Sequence, residues 1–174
     1  KEDLPHLEAG ICNLVGHIQN LRDVYGVNVA VAINKFVTDS EKEIDFIAGE
    51  CEKQGAEFAV CECWAKGGAG SVELAQKGLK AMEKGAALNF AYPLEMSVKE
   101  KIEAVAKRVY GAGEVEYTAK AEAEIRAAEK IGKGGLPVCI AKTQYSFSDD
   151  PSKLGRPAGF TLTVNDLEVR GGAE

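Results

Sequence analysis

The chain has 174 residues, 45% apolar and 28% charged, a balance that suits a folded globular protein with one large or two small domains. Its formal charge of −6 argues against nucleic acid and anionic membrane surfaces as partners. No apolar run approaches the roughly 20 residues of a membrane span, and no secretory leader opens the chain. Cys12, Cys51, Cys61, Cys63 and Cys139 are odd in number and form no disulfide framework, so a reducing, cytoplasmic compartment is expected. Lys1-Glu2-Asp3-Leu4 at the start and Arg170-Gly171-Gly172-Ala173-Glu174 at the end read as a piece of a longer chain.

In chain order, Leu4, Leu7, Ile11, Leu14, Ile18 and Leu21 repeat at helical spacing, giving one apolar face that stops near Gly26. His17 lies beside that stripe and reads as a surface or boundary residue. Val27–Ile33 is a near-continuous apolar run that breaks at Asn34-Lys35-Phe36. Such a run predicts a parallel strand covered on both faces, opening at its C-terminal end into a polar loop. Thr38-Asp39-Ser40-Glu41 has the spacing of a capping box. The helix it opens has Ile44, Ile47 and Cys51 inward and ends at Gly55. Phe58–Cys61 is a second short strand, which makes a βαβ unit, right-handed by the general rule. A loop of three glycines then leads into a helix with Val72, Ala75, Leu79 and Met82 on one face.

Asn89–Pro93 predicts a short strand or crossing segment. Ser97-Val98-Lys99-Glu100 is a second capping box, ahead of a helix with Val98, Ile102, Val105 and Val109 inward. Gly111-Ala112-Gly113 reads as a turn. Thr118 caps a helix that runs to Ile131, with Ala121, Ile125 and Ala128 inward. Leu136–Ala141 predicts a third apolar strand, followed by the polar loop Lys142–Pro151. Phe160–Val164 alternates as a half-buried strand does. The fold class is therefore α/β: a mostly parallel sheet flanked by helices, with a smaller C-terminal α/β part. The domains are set at 1–95 and 96–174.

Ligands of open α/β sheets bind outside the carboxyl ends of the strands. Two loops meet that condition. Asn34-Lys35-Phe36 follows the first strand with Asp39 behind it, resembling the base-reading N-K-x-D of GTPases with the acid two residues late. Asn34 either offers a donor and an acceptor to a heterocycle or only caps the strand end. Trp64, the sole tryptophan, follows the second strand. With Phe36 it can sandwich a flat heterocycle, or both can be rim residues over the core. Lys66-Gly67-Gly68-Ala69-Gly70 precedes a helix and has the make-up of an anion cradle or of a plain glycine turn. It matches neither nucleotide-binding glycine pattern. Cys61-Glu62-Cys63 lacks the second cysteine pair or the histidine that would complete a zinc site, so no metal ligands are expected.

VAINKFVTDSEKEI, ECWAKGGAGSVELA, the span from Tyr92-Pro93-Leu94-Glu95 to Ile102, and AKTQYSFSDDPSKLGRPAGFTLTV closely resemble the formate–tetrahydrofolate ligase family, in order and over nearly the whole chain. The resemblance implies a P-loop NTPase-like fold, present here in part. It also implies an ATP-dependent joining of formate to tetrahydrofolate through formyl phosphate, with Mg²⁺, a monovalent cation such as K⁺, and a homotetramer. The family's ATP-holding P-loop falls N-terminal to this stretch. The pterin-stacking Phe and Trp of the family fall on Phe36 and Trp64, with the strand end at Val60 against the folate ring. Asn34, Asp39, Lys66, Gly67, Gly68 and Gly70 match the family's substrate or nucleotide loops without individual roles. Lys35 stands where many members have Arg, which keeps the charge and loses the planar fork. The chain is thus expected to be the folate-positioning part of the enzyme, inactive alone. The alternative is a non-catalytic folate-binding or oligomerisation module.

Overall fold

The computed structural model describes residues 2–172 and divides into two compact units, Lys1–Asn89 and Phe90–Glu174. In the first, helix α1 (Leu4–Gln19) starts at Asp3, whose side chain accepts from the His6 N–H, with Pro5 in the first turn. The helix continues through one π-helical turn, Asn20–Val24. Gly26 then turns the chain at φ +68°, and a Cβ there would sit 2.3 Å from the Ala87 carbonyl oxygen. No residue but glycine fits.

Strand β1 (Ala30–Asn34) is joined by helix α2 (Glu41–Lys53) to strand β2 (Glu57–Cys61). The strands pair in parallel, with Ile33 opposite Val60 and Asn34 opposite Cys61. The expected βαβ order is thus present, with β1 starting three residues later than the apolar run suggested. The expectation that both its faces are covered is not met: only Ile33 of β1 is buried, and Ala32 is exposed. An open cavity of about 350 Å³ is lined by Leu7 and Leu14 of α1, Val31 and Ile33 of β1, and Ile44 and Ile47 of α2, among others.

Helix α2 is capped by Ser40 and Glu43 in a reciprocal box, not by Thr38 and Glu41. The shift has a local cause. Asp39 folds back to accept the Phe36 N–H at 2.8 Å, and its own N–H reaches the Phe36 carbonyl. That turn takes up residues 36–39, so the first free hydroxyl is Ser40. Ile44 and Cys51 are buried as expected.

Beyond β2 come a short helix α3 (Cys63–Lys66), a 3₁₀ turn (Gly67–Ser71) and helix α4 (Val72–Glu83). The helical spacing placed Val72, Ala75, Leu79 and Met82 on one face, but that face points outward. Val72, Leu79 and Met82 are 53%, 61% and 76% exposed. On the inward side Ala81 is buried and Leu74 and Gly78 are half-buried, with Lys77 over the Phe58 ring. Glu57 receives Lys77, Lys80 and Lys84 along the same helix.

In the second unit, helix α5 (Val98–Arg108) opens with the expected Ser97–Glu100 capping box. Strand β3 (Glu114–Tyr117) pairs in parallel with strand β4 (Thr161–Val164), and helix α6 (Ala119–Lys130), capped by Thr118, follows β3 directly. Val98, Ile102 and Ile125 form one core cluster; Ala106, Ala112, Phe160 and Leu162 form another. Two expectations fail here. Residues 89–93 form a bend and 136–141 form no strand ladder. Val138 and Ile140 do pack on the core, but the Val138 N–H goes to the Tyr92 hydroxyl at 2.8 Å, not to a neighbouring strand. Cys139, between them, is exposed. Lys101 is fully buried and donates to the carbonyls of Gly134 and Leu136.

Among the described residues both sheets are short, two-stranded and parallel, so the α/β class holds, with two strand pairs in place of one larger sheet. No described helix is long and apolar enough to cross a membrane.

Candidate functional site

The C-terminal ends of β1 and β2 lie side by side because the register sets Asn34 against Cys61. The Lys35 N–H extends the ladder by one bond, to the Cys61 carbonyl at 3.0 Å. Each chain then leaves the sheet, and each carries an aromatic within three residues. Phe36 sits in the turn closed by Asp39. Trp64 sits in the first turn of α3, and its indole Nε1–H donates to the Lys35 carbonyl at 2.8 Å. That bond fixes the indole on the neighbouring loop. The two rings are nearly parallel, at 17°, with centroids 6.2 Å apart. Phe36 is 56% and Trp64 58% exposed, so the pair presents apolar area to solvent while its backbone is held by hydrogen bonds.

Charged groups ring this pair. Lys35 reaches Glu41, and Lys66 reaches Glu62 one helical turn back. The Glu41 hydrogen bond, then the nearby carboxylates, hold the Lys35 ammonium above the usual lysine range. The Lys66 hydrogen bond holds Glu62 below the usual carboxylate range. Below Asn34 and Asp39 opens the apolar cavity described above, which both residues also line.

Of the residues singled out in the sequence, Phe36 and Trp64 are brought together. Val60 lies half-buried on β2 opposite Ile33. Asn34 is exposed at the end of β1. Asp39 is engaged in shaping its own loop. The glycine segment is a tight 3₁₀ turn. Gly67 has φ +59°, Gly68 accepts from the Ser71 hydroxyl, and Gly70 packs on the Glu62 backbone so closely that a Cβ would come within 2.6 Å. Gly70 is therefore required by the approach of the two loops. Sequence reasoning missed the pairing of Lys66 with Glu62, although its i, i+4 spacing was visible. It also read Cys61-Glu62-Cys63 only against zinc. The two Sγ atoms are 2.9 Å apart. Among the described residues, no group of three His, Cys, Asp or Glu side chains is placed to hold a metal ion.

The class so defined is a parallel α/β protein that presents a stacked aromatic pair at the carboxyl edge of its strands. The family model of formate–tetrahydrofolate ligase matches residues 1–174, and the chain belongs to that family. It is 50% identical over 173 residues to the formate–tetrahydrofolate ligase of Campylobacter concisus (strain 13826), covering 99% of this chain and 32% of that protein. It is 48% identical to that of Campylobacter curvus (strain 525.92) over the same share of each. The chain thus spans about a third of the length of the curated relatives it matches.

Proposed function

We propose that this chain is the acceptor-positioning part of an ATP-dependent formate–tetrahydrofolate ligase. The reaction joins formate to tetrahydrofolate to give 10-formyltetrahydrofolate, within one-carbon metabolism. The observation that carries the reading is the Phe36–Trp64 pair, near-parallel and exposed on adjacent strand-end loops, in a chain of this family. A pterin is flat and extended, and offset stacking on such rings favours it. The strand end at Val60 supplies the edge beneath the ring, and Asn34 supplies polar contacts. Holding the acceptor so that its N10 meets an activated formyl carbon is a positioning role, and orientation alone removes a large part of a bimolecular barrier.

Activation of formate belongs, on this reading, to a phosphate-binding part that carries the P-loop, with ATP, Mg²⁺ and a monovalent cation, in a homotetramer. The residues described here do not fit a phosphate cradle well, since Lys66 is engaged by Glu62 and the glycine turn is wound on itself. The P-loop NTPase-like fold, the cytoplasmic location and the division at 1–95 and 96–174 into a folate-site part and a smaller α/β part belong to the same reading.

Trp64→Ala in the complete ligase is expected to weaken tetrahydrofolate binding by about 10- to 100-fold, the loss of one stacking face, and to leave ATP binding unchanged. Equal losses for both ligands overturn the assignment. The 174-residue chain alone is expected to form no 10-formyltetrahydrofolate from ATP and formate.

A further inference from the structure

We propose that Cys61 and Cys63 form a thiol–disulfide couple that closes to an intrachain bond by exchange with a small-molecule disulfide such as glutathione disulfide. The first observation is distance. The two sulfurs are 2.9 Å apart, and a disulfide bond of about 2.05 Å asks for an approach of less than about 1 Å. The second is backbone shape. Residues i and i+2 of a straight strand stand near the upper limit of disulfide reach. Here β2 ends at Cys61, and Glu62, at φ −121° and ψ 35°, turns the chain into α3. The turn draws Cys63 back toward Cys61.

The third observation is a division of roles. Cys63 is exposed and Cys61 is buried at 4% exposure. The contact with the Cys61 thiol, aided by the Ser71 hydroxyl, holds the Cys63 thiol below its ordinary range. The same contact raises Cys61. Cys63 therefore attacks, and Cys61 resolves. In the first step the Cys63 thiolate displaces one glutathione thiolate, forming a Cys63–glutathione mixed disulfide. In the second, Cys61 gives up its proton to solvent and attacks the Cys63 sulfur, expelling the second glutathione thiolate. The two cysteines lose two electrons and two protons, and one glutathione disulfide becomes two glutathione thiols. Because Cys63 opens α3 and Trp64 is its next residue, closure pulls on the turn that carries the indole. The couple does not depend on the folate reading.

The experiment treats the 174-residue chain with glutathione disulfide under native conditions, alkylates the remaining thiols and weighs the tryptic peptide 54–66, which holds both cysteines. The expected result is a peptide about 2 Da lighter than its reduced form, unalkylated, and returned to the reduced mass by dithiothreitol. Cys61→Ser is expected to stop at a stable glutathione adduct on Cys63, and Cys63→Ser to leave Cys61 free of glutathione and so alkylated. The proposal is overturned if wild type accumulates the Cys63 adduct with Cys61 still alkylated. It is equally overturned if both thiols stay alkylated while the exposed Cys139 takes up glutathione. Circular dichroism of both serine variants separates a chemical effect from misfolding.

Discussion

Units Lys1–Asn89 and Phe90–Glu174 each hold one parallel strand pair, yet the ends of those strands meet solvent differently. After β3 there is no loop. Thr118 follows Tyr117 at once, caps α6 and donates its hydroxyl to the Asn165 carbonyl beyond β4 at 2.7 Å. Its N–H bonds the Val164 carbonyl, and the Leu167 N–H is taken by Glu124 at 2.8 Å. That strand edge is closed by the chain's own groups. After β1 and β2 the chain instead runs through turns that raise Phe36 and Trp64 and leave them more than half exposed. The same alternation of strand and helix thus builds a sealed edge in one unit and a presenting edge in the other. Thr118, directly after β3, closes the one; the turns that follow β1 and β2 leave the other open.

The largest effect is expected in the sealed unit. Lys101→Ala removes a fully buried side chain and strands the carbonyls of Gly134 and Leu136, at a cost of about 3 kcal/mol. Lys101→Met, which restores bulk but not donors, should recover only part of it in denaturant titration. If Met recovers all of it, the hydrogen bonds are not what holds that loop.

Caps come next. Thr118→Ala should cost about 1–2 kcal/mol, since it removes both the helix cap and the strand-edge bond. Ser40→Ala should cost about 1 kcal/mol, and Thr38→Ala almost nothing. A larger loss at Thr38 than at Ser40 would restore the cap position that the sequence alone suggested.

The smallest effect is electrostatic and lies in the presenting unit. Lys84 and Lys80 hydrogen-bond Glu57 and lower its carboxyl from an ordinary 4.5 to about 2. Between those values the unfolded chain binds a proton that the folded chain does not, so stability rises with pH there. The contribution is complete above about pH 5 and is lost as pH falls through about 2. Glu57→Gln should flatten the pH dependence of thermal unfolding across that window. An unchanged slope would mean that the three lysines do not act on this carboxylate.

Much of this was legible in the sequence where the pattern was long. Both strands of the first unit, the Ser97 and Thr118 caps and the inward faces of α5 and α6 follow from apolar spacing and cap chemistry. β3 escaped notice because four residues, Glu114–Tyr117, give too short an alternation beside a glycine turn. Leu136–Ala141 misled for the opposite reason: apolar content supplies burial, but a strand also needs a ladder partner, and the Val138 N–H found a tyrosine hydroxyl. For α4 the period identified a face without saying which side meets the sheet, and the less exposed side proved to be that of Leu74, Gly78 and Ala81. At the candidate site, the nearness of Phe36 and Trp64 followed from parallel pairing alone. The indole hydrogen bond to Lys35, the Asp39 turn and the Lys66–Glu62 pair depend on side-chain directions that spacing does not encode.

Trp64 is the only tryptophan in the chain, so its emission reports on one face of the aromatic pair without labelling. Titrating the chain with tetrahydrofolate while following that emission asks whether the Phe36–Trp64 pair receives the pterin. The expected result is a saturable change that Phe36→Ala shifts to about 10-fold or higher concentration and that ATP does not reproduce. A change that does not saturate, or one that Phe36→Ala leaves in place, would contradict it.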